Sequence, residues 1–379
     1  MRDRLNSALF TAQRSSIRQF SALAKKTPGC LALTLGEPDF STPPSICSRV
    51  GDAFAHGETH YIENAGRADL RQAIVSFENR RRGTDYTADE VIVTAGATQA
   101  LFTALFGILE PDDEVIVPTP AFLLYQEITG LCRGKFIPMD TSADDFQITA
   151  ENLSRHISDK TKAIILNSPN NPTGCVYDQE SIQAVYQAVR HRKIFVICDD
   201  VYDQLVYQGP VPHLCAFPEL REKLLLVQSF SKPYAMTGWR MGYLLADRSI
   251  MERLELLHQY MVVSTPAPFQ DACIEALSCD IDPMLRVYAE RRALVLRRLK
   301  EIGLPFSVPQ GAFYVFPQIA QLGLDSQTFC IRMIQEAGLA ATPGFCFGSD
   351  SHIRLSYCCS DTTLRQGLDR LERFVASLR

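Results

Sequence analysis

From about residue 90 to residue 246 the chain alternates short β-rich runs with stretches of helical periodicity, which limits its possible folds more than any other feature. The runs are EVIVTAG, DEVIVP, KFIPMD, KAIILN, IFVICDD, KLLLVQSF and GYLLA, and the first helical segment between them is TQALFTALFGIL. Such alternation predicts a mostly parallel sheet covered by helices. Sheets of this kind bind ligands in the loops beyond the carboxyl ends of their strands. Three polar motifs obey that rule: GATQ follows the first run, DDVY ends the fifth, and SFSK follows KLLLVQ. From about residue 250 to 303 the pattern turns helical, with apolar residues every three or four positions in MERLELLHQYMVV and MLRVYAERRALVLRRLKEIG. The second of these is expected to bridge two domains. Beyond it, GAFYVF, a helix near TFCIRMIQEAG, IRLSYCC and a terminal helix TLRQGLDRLERFVASL suggest an α+β cap.

A chain of 379 residues has room for two domains at about 150 residues each. Its 46% hydrophobic and 21% charged residues are ordinary for a soluble globular protein, and a formal charge of -5 disfavours a phosphate-backbone binder, so nucleic acid is not an expected partner. The 12 cysteines are scattered from Cys30 to Cys359 without a CxxC pair, which fits reduced thiols better than a disulfide framework. The N-terminal MRDRLNSALFTAQRSS lacks the apolar core of a signal peptide, and no later run reaches membrane-spanning length. The expectation is a cytoplasmic protein with no membrane partner.

Lys232 lies in SFSKPYAMTGWRMGY, three residues after Ser229 and eight before Arg240. A lysine that joins an aldehyde covalently, beside hydroxyl and guanidinium donors for a phosphate, is what pyridoxal phosphate requires. SxSK alone is a common loop pattern. Other segments supply the remaining partners: NSPNNPTG at 167–174 and ICDDVYDQLVY at 197–207. NPTG, then D-[ED]-x-Y, then SxSK with its arginine, in that order, resembles the class I/II aminotransferases of the fold-type-I pyridoxal phosphate enzymes. The resemblance runs over nearly the whole chain, through LGEPDF at 35–40, HY with a following glycine and LR at 60–71, TAGATQAL at 94–101, GAFYVF at 311–316 and IRLSY at 353–357. It implies a seven-stranded sheet in a large domain, residues 47–278, and a small α+β domain formed by residues 1–46 with 279–379.

The resemblance also assigns roles. Lys232 would carry the cofactor and, once displaced by the substrate amine, move the proton of the substrate's Cα. An ordinary lysine pKa of about 10.4 suits this poorly, so burial and neighbouring cations must lower it. Asp199 ends an apolar strand, a costly place for a carboxylate without a cation, and matches the partner of the pyridinium nitrogen. Asp200 stands where the family commonly has glutamate, and its role is open. Tyr202 and Asn171 match donors to the ring's O3′ oxygen, and Phe122, with Tyr125 close behind, matches the aromatic that stacks on the ring. Gly96, Ala97 and Thr98 open a helix whose amides and dipole suit an anion, and Ser229, Ser231 and Arg240 add donors for the phosphate. Arg354, with Asn171 and Gly36, matches the site for a substrate α-carboxylate. Tyr61 matches a tyrosine that reaches the phosphate from a neighbouring subunit, which implies a homodimer with active sites at the interface. Singly, several of these residues have plainer readings: a turn asparagine, a core phenylalanine, a solvent-exposed strand arginine.

The seven histidines show no metal-ligand spacing, so no metal is expected; they read as surface or satisfied core residues, and Trp239 reads as packing. The resemblance implies an aminotransferase that moves an amino group from an L-amino acid to a 2-oxo acid by a ping-pong cycle. A pyridoxal phosphate-dependent C-S β-lyase is the alternative enzyme, and the fold does not choose between them. A cofactor-sensing regulator needs an attached DNA-binding domain, for which the similarity, beginning by Ile17, leaves no room. SSIRQFSALAKK, LTLGEPDFSTP and GLDRLERF resemble the bacterial branch that includes N-acetyl-L,L-diaminopimelate and aspartate aminotransferases. That suggests a place in lysine or aspartate-family biosynthesis. Arg18 and Arg67 are the candidates for holding a distal substrate carboxylate.

Overall fold

The computed structural model describes residues 4–12 and 16–379, so residues 1–3 and 13–15 of the stretch examined for a signal peptide lie outside it. Its strands, in chain order, are β1 (Leu31–Ala32), β2 (Val91–Thr94), β3 (Glu114–Thr119), β4 (Lys135–Asp140), β5 (Thr161–Asn167), β6 (Phe195–Asp199), β7 (Leu224–Ser229), β8 (Gly242–Ala246), β9 (Tyr314–Val315), β10 (Leu339–Ala340), β11 (Thr342–Pro343) and β12 (Ile353–Ser356). Strands β2 to β8 coincide with the seven β-rich runs and form one sheet of order β2-β8-β7-β6-β5-β3-β4. Strand β8 runs antiparallel to both β2 and β7, and the other pairings are parallel.

Side chains alternate between the two faces of this sheet. Ile92, Val115, Val117, Ile165, Ile197, Leu225 and Leu244 pack under the helices Ala97–Ile108 and Arg248–Val262. Their neighbours Val93, Ile116, Ile164, Val196, Leu226 and Leu245 pack with Ala68–Arg82 and Gln179–Val189 on the opposite side. Because both faces are covered, the central strands read as continuous apolar runs rather than alternating ones. Only the edge strand β4 is largely open, and it carries Pro138, which an edge tolerates.

A further apolar cluster gathers Phe20 and Leu33, the 21-residue helix Asp282–Ile302, β9, β12 and the helices Ser326–Ala337 and Asp361–Ser377. Here β1 pairs with β10 in parallel, and β9, β12 and β11 form an antiparallel sheet. Val201, Tyr202 and Leu205, just past β6, belong to this second cluster, so it meets the large sheet at the carboxyl ends of the strands.

Candidate active site

The sheet register sets the motifs in one row. Thr94 and Ser229 both pair with Gly242, while Asp199 pairs with Asn167 on one side and Val227 on the other. The loops after β2, β5, β6 and β7 therefore open side by side.

At one end of the row is an anion cradle. Gly96 caps the helix Ala97–Ile108 with φ 75°, a left-handed conformation that favours glycine. A Cβ at this position would lie 2.5 Å from Nη2 of Arg240. Arg240, itself at φ 56°, donates from Nη1 to the Thr237 carbonyl at 3.0 Å, and its guanidinium lies beside Gly96, where the helix opens. The Ser231 amide donates to Ser229 Oγ at 3.0 Å, which folds the start of the lysine loop beside them. Helix amides, hydroxyls and a guanidinium together suit a phosphate.

The Lys232 ammonium donates to the carbonyl of Gly36 at 2.7 Å. Burial, helped by the charges of Arg354 and Arg240 and opposed by Cys358 and Glu37, lowers its pKa from 10.5 to about 8. Gly36 has no room for a side chain, because a Cβ would collide with the Tyr314 hydroxyl. That hydroxyl is 2.9 Å from the hydroxyl of Tyr202.

Asp199 is buried at the end of β6. Its Oδ2 accepts from the Tyr125 hydroxyl at 2.7 Å, while its Oδ1 has no hydrogen-bond partner among the described residues. Burial pushes its pKa up to about 6, against the hydrogen bond from Tyr125, the amide of Val201 and the charge of Lys232. A buried acceptor without a donor is costly, and a cationic ring N–H would satisfy it. Asn167 donates to the Asp199 carbonyl at 2.8 Å and accepts from the Asn171 amide at 2.8 Å, which locks the NPTG loop to the end of β6. Phe122 is half-buried and meets Tyr125 edge-on at 6.2 Å.

Arg354 is no solvent-exposed strand arginine: it is 2% exposed. Nη1 donates to Asn171 Oδ1 at 2.7 Å, Nη2 donates to the Thr34 carbonyl, and Nε is buried without a partner among the described residues. The Tyr314 and Phe347 rings flank the guanidinium at 4.5 and 4.9 Å. Asn171 thus spends its oxygen on Arg354 and keeps its amide N–H groups as donors. Tyr61 is 87% exposed and is not joined to the other predicted residues.

Three expectations need correction or extension. Arg67 is committed to Glu58, Asp69 and Asp271 at 3.1, 2.6 and 2.9 Å, so its guanidinium is not free for a distal substrate carboxylate; Arg18 is exposed on the helix Ser16–Lys26. His258 is buried but not satisfied, since its Nε2 lacks a partner among the described residues. His213 has its partner, with Nδ1 3.1 Å from Arg82 Nη1, and fits the reading as a satisfied residue. Asp200, left without a role, accepts from Arg82 at 2.8 Å. Asn167 and Tyr314 lie inside NSPNNPTG and GAFYVF, and Tyr125 lies three residues after Phe122, but spacing alone does not reveal their bonds. Trp239 packs on Phe269 at 5.5 Å, as expected.

Comparison with known proteins agrees with this geometry. The family model described as Aminotransferase class I and II matches residues 28–371. The chain is 36% identical, over 96% of its length and 94% of the relative's, to the "Probable N-acetyl-LL-diaminopimelate aminotransferase" of Bacillus subtilis. It is 34% identical to the aspartate aminotransferase of Pyrococcus horikoshii, over 95% of this chain and 94% of that one. The crystal structure of aspartate aminotransferase from Thermotoga maritima superposes with a TM-score of 0.94 at 33% identity, covering 98% of this chain and 100% of that one. Enzymes of this class depend on pyridoxal 5′-phosphate. The residues present fit that cofactor: a low-pKa lysine for the aldehyde, an unpartnered buried carboxylate oxygen for the ring nitrogen, and a helix N-terminus with an arginine for the phosphate. With family, fold and cofactor chemistry in agreement, the chain belongs to the class I and II aminotransferases and is a pyridoxal phosphate-dependent transaminase.

Proposed function

We propose that the enzyme transfers the amino group of an L-amino acid to a 2-oxo acid by a ping-pong cycle, with Lys232 as acid/base and Arg354 as the α-carboxylate receptor. The observation that carries this reading is the buried Arg354, whose Nε lacks a partner among the described residues and whose Nη1 is aimed by Asn171. When bound, the cofactor supplies an aldehyde and a ring that takes up electron density from the substrate's Cα. Lys232 would hold the cofactor covalently, Asp199 its ring nitrogen, Tyr202 and Asn171 its ring oxygen, and Phe122 its face. Gly96, Ala97, Thr98, Ser229, Ser231 and Arg240 would hold its phosphate. Arg354 turns the bound amino acid so that its Cα proton faces Lys232 Nζ. With its pKa lowered to about 8, that amine is free of its own proton in a usable fraction near neutrality and can remove one from Cα.

The names of the relatives support aspartate-family substrates, in lysine or related biosynthesis, as the first to try. A panel of amino donors assayed against 2-oxoglutarate should give 2-oxo acid continuously only when the acceptor is present, and no more than one equivalent per site without it. Turnover without an acceptor would instead indicate a lyase. The variant Arg354→Lys keeps the charge but loses the fork. A charged hydrogen bond contributes about 1.5–3 kcal/mol, so kcat/KM should drop about 10- to 150-fold for every accepted donor, with cofactor content unchanged. Equal kinetics in variant and parent would refute the carboxylate role.

The reading extends to a cytoplasmic homodimer, with residues 47–278 as large domain and 1–46 with 279–379 as small domain. No helix among the described residues is long and apolar enough to cross a membrane. Tyr61 and Tyr260, 87% and 82% exposed, and the exposed Phe54, Phe106 and Val263 supply surface for a second copy. If Tyr61 reaches the partner's phosphate, mixing Lys232→Ala and Tyr61→Phe chains should produce one intact site per hybrid dimer. Activity should then exceed that of either parent after subunit exchange. A fully active monomer in sedimentation would overturn the shared site.

A further inference from the structure

On the face of the sheet away from Tyr125 lies a second polar cluster, largely buried and unused by the chemistry above. Arg82, the last residue of the helix Ala68–Arg82, has a side chain 1% exposed and spends each nitrogen on a different carboxylate. Nε donates to Glu78 at 2.6 Å, Nη1 to Asp200 at 2.8 Å, and Nη2 to Asp203 at 2.6 Å. Its surroundings are equally ordered: Gln228 donates to Asp203 at 2.9 Å, Tyr243 donates to Glu78 at 2.6 Å, and Arg81 reaches Asp203 at 3.2 Å. His213 Nδ1, 3.1 Å from Arg82 Nη1, must accept and so is neutral.

We propose that Arg82 is a positioning residue for Asp199 and Tyr202, acting through Asp200 and Asp203. The covalent order of the DDVYD segment makes the connection. Asp200 directly follows Asp199, and Asp203 directly follows Tyr202, so each of the two cofactor-facing side chains has an anchored acid as its next residue. The backbone between them is pinned as well, with the Asp200 amide on the Val227 carbonyl at 3.0 Å and the Asp203 amide on the Asp200 carbonyl at 2.9 Å. Asp199 points to Tyr125 and Asp200 to Arg82, so fixing Asp200 fixes the peptide that aims the unpartnered Oδ1 of Asp199.

Stability alone does not account for such a cluster, because a buried ion network is often no more stabilising than apolar residues of similar volume. Three carboxylates face two arginines here, and Asp200 is held well above the usual carboxylate range by burial and by its acidic neighbours Asp203 and Glu78, against the pull of Arg82. A cluster with an acid in excess orients well but stabilises little.

The inference rests on the roles proposed for Asp199 and Tyr202, and its test separates the two. The wild-type holoenzyme and the variants Asp200→Asn, Arg82→Lys and Asp199→Asn are titrated for the pH midpoint of the visible cofactor band and for pyridoxal phosphate affinity. Folding is checked by the thermal midpoint of each cofactor-free chain. Asp200→Asn and Arg82→Lys should fold, yet bind the cofactor about 10- to 100-fold more weakly, by analogy with the loss of a partner that orients a metal ligand, and both should move the band midpoint as Asp199→Asn does. If Asp199→Asn moves the band while the two cluster variants keep the wild-type midpoint and affinity, the positioning role is overturned. If Asp199→Asn also leaves the band unchanged, the assignment of Asp199 fails and the inference falls with it. Should Arg82→Lys not fold, Asp200→Asn decides alone, since it removes one acid from a cluster that has one too many.

Discussion

Replacing Lys232 with alanine should remove the yellow colour of the purified enzyme and lower turnover by about 10⁴-fold, the upper end of what a positioned proton-transfer group contributes. Borohydride should fix the cofactor to wild-type protein at this residue alone. A trapped adduct on another lysine, or an unchanged turnover in the variant, would remove Lys232 from its role. The pH dependence has a definite sign. In the cofactor-free chain the amine titrates at about 8 rather than 10.5, chiefly because burial disfavours its charge. Only the neutral amine attacks an aldehyde, so the rate of cofactor capture should climb with pH to a plateau, with its midpoint near 8. Between those two values the unfolded chain binds the proton and the native chain does not, so this residue's contribution to stability rises with pH over that window.

The sheet was legible because all seven strands are short, apolar and separated by helical periodicity, so the seven runs map directly onto β2 to β8. Strand order was not legible, since periodicity carries no information on which strand lies beside which, and β8 runs against its neighbours. The site was legible where a residue sits in a contiguous motif with distinctive chemistry, as with Lys232, Asp199 and Asn171. It was obscure where function depends on a long-range pair. The Tyr125 hydroxyl meets Asp199 across 74 positions, Tyr314 meets Tyr202 across 112, and Arg82 meets Asp200 across 118. An arginine at the end of a polar helix, in ENRRRG, reads as a solvated helix terminus, yet Arg82 is the most enclosed cation of the central cluster. Arg67 is the converse case: a plausible receptor for a substrate carboxylate that the fold surrounds with three acids of its own.

The other large effect should come from Asp199→Asn. Asparagine keeps the shape and still accepts the hydroxyl of Tyr125, but it cannot carry the charge that holds a ring nitrogen protonated. Breaking a buried ion pair costs about 3–5 kcal/mol, so turnover should fall by about 10²- to 5 × 10³-fold while the lysine still carries the cofactor. Stability supplies an independent check with opposite signs in the two forms. In the cofactor-free chain Asp199 titrates at about 6 instead of 3.8, because burial disfavours its charge. The native state therefore holds a proton that the unfolded chain has lost, and the advantage of wild type over the variant declines as pH rises through that interval. With the cofactor bound, a cation paired with this carboxylate would reverse the preference, and wild type should be the more stable protein near neutrality. Thermal midpoints of both proteins, each with and without pyridoxal phosphate across this range, test the pairing without measuring turnover. A stability difference that does not depend on the cofactor would show that Asp199 does not face the ring nitrogen.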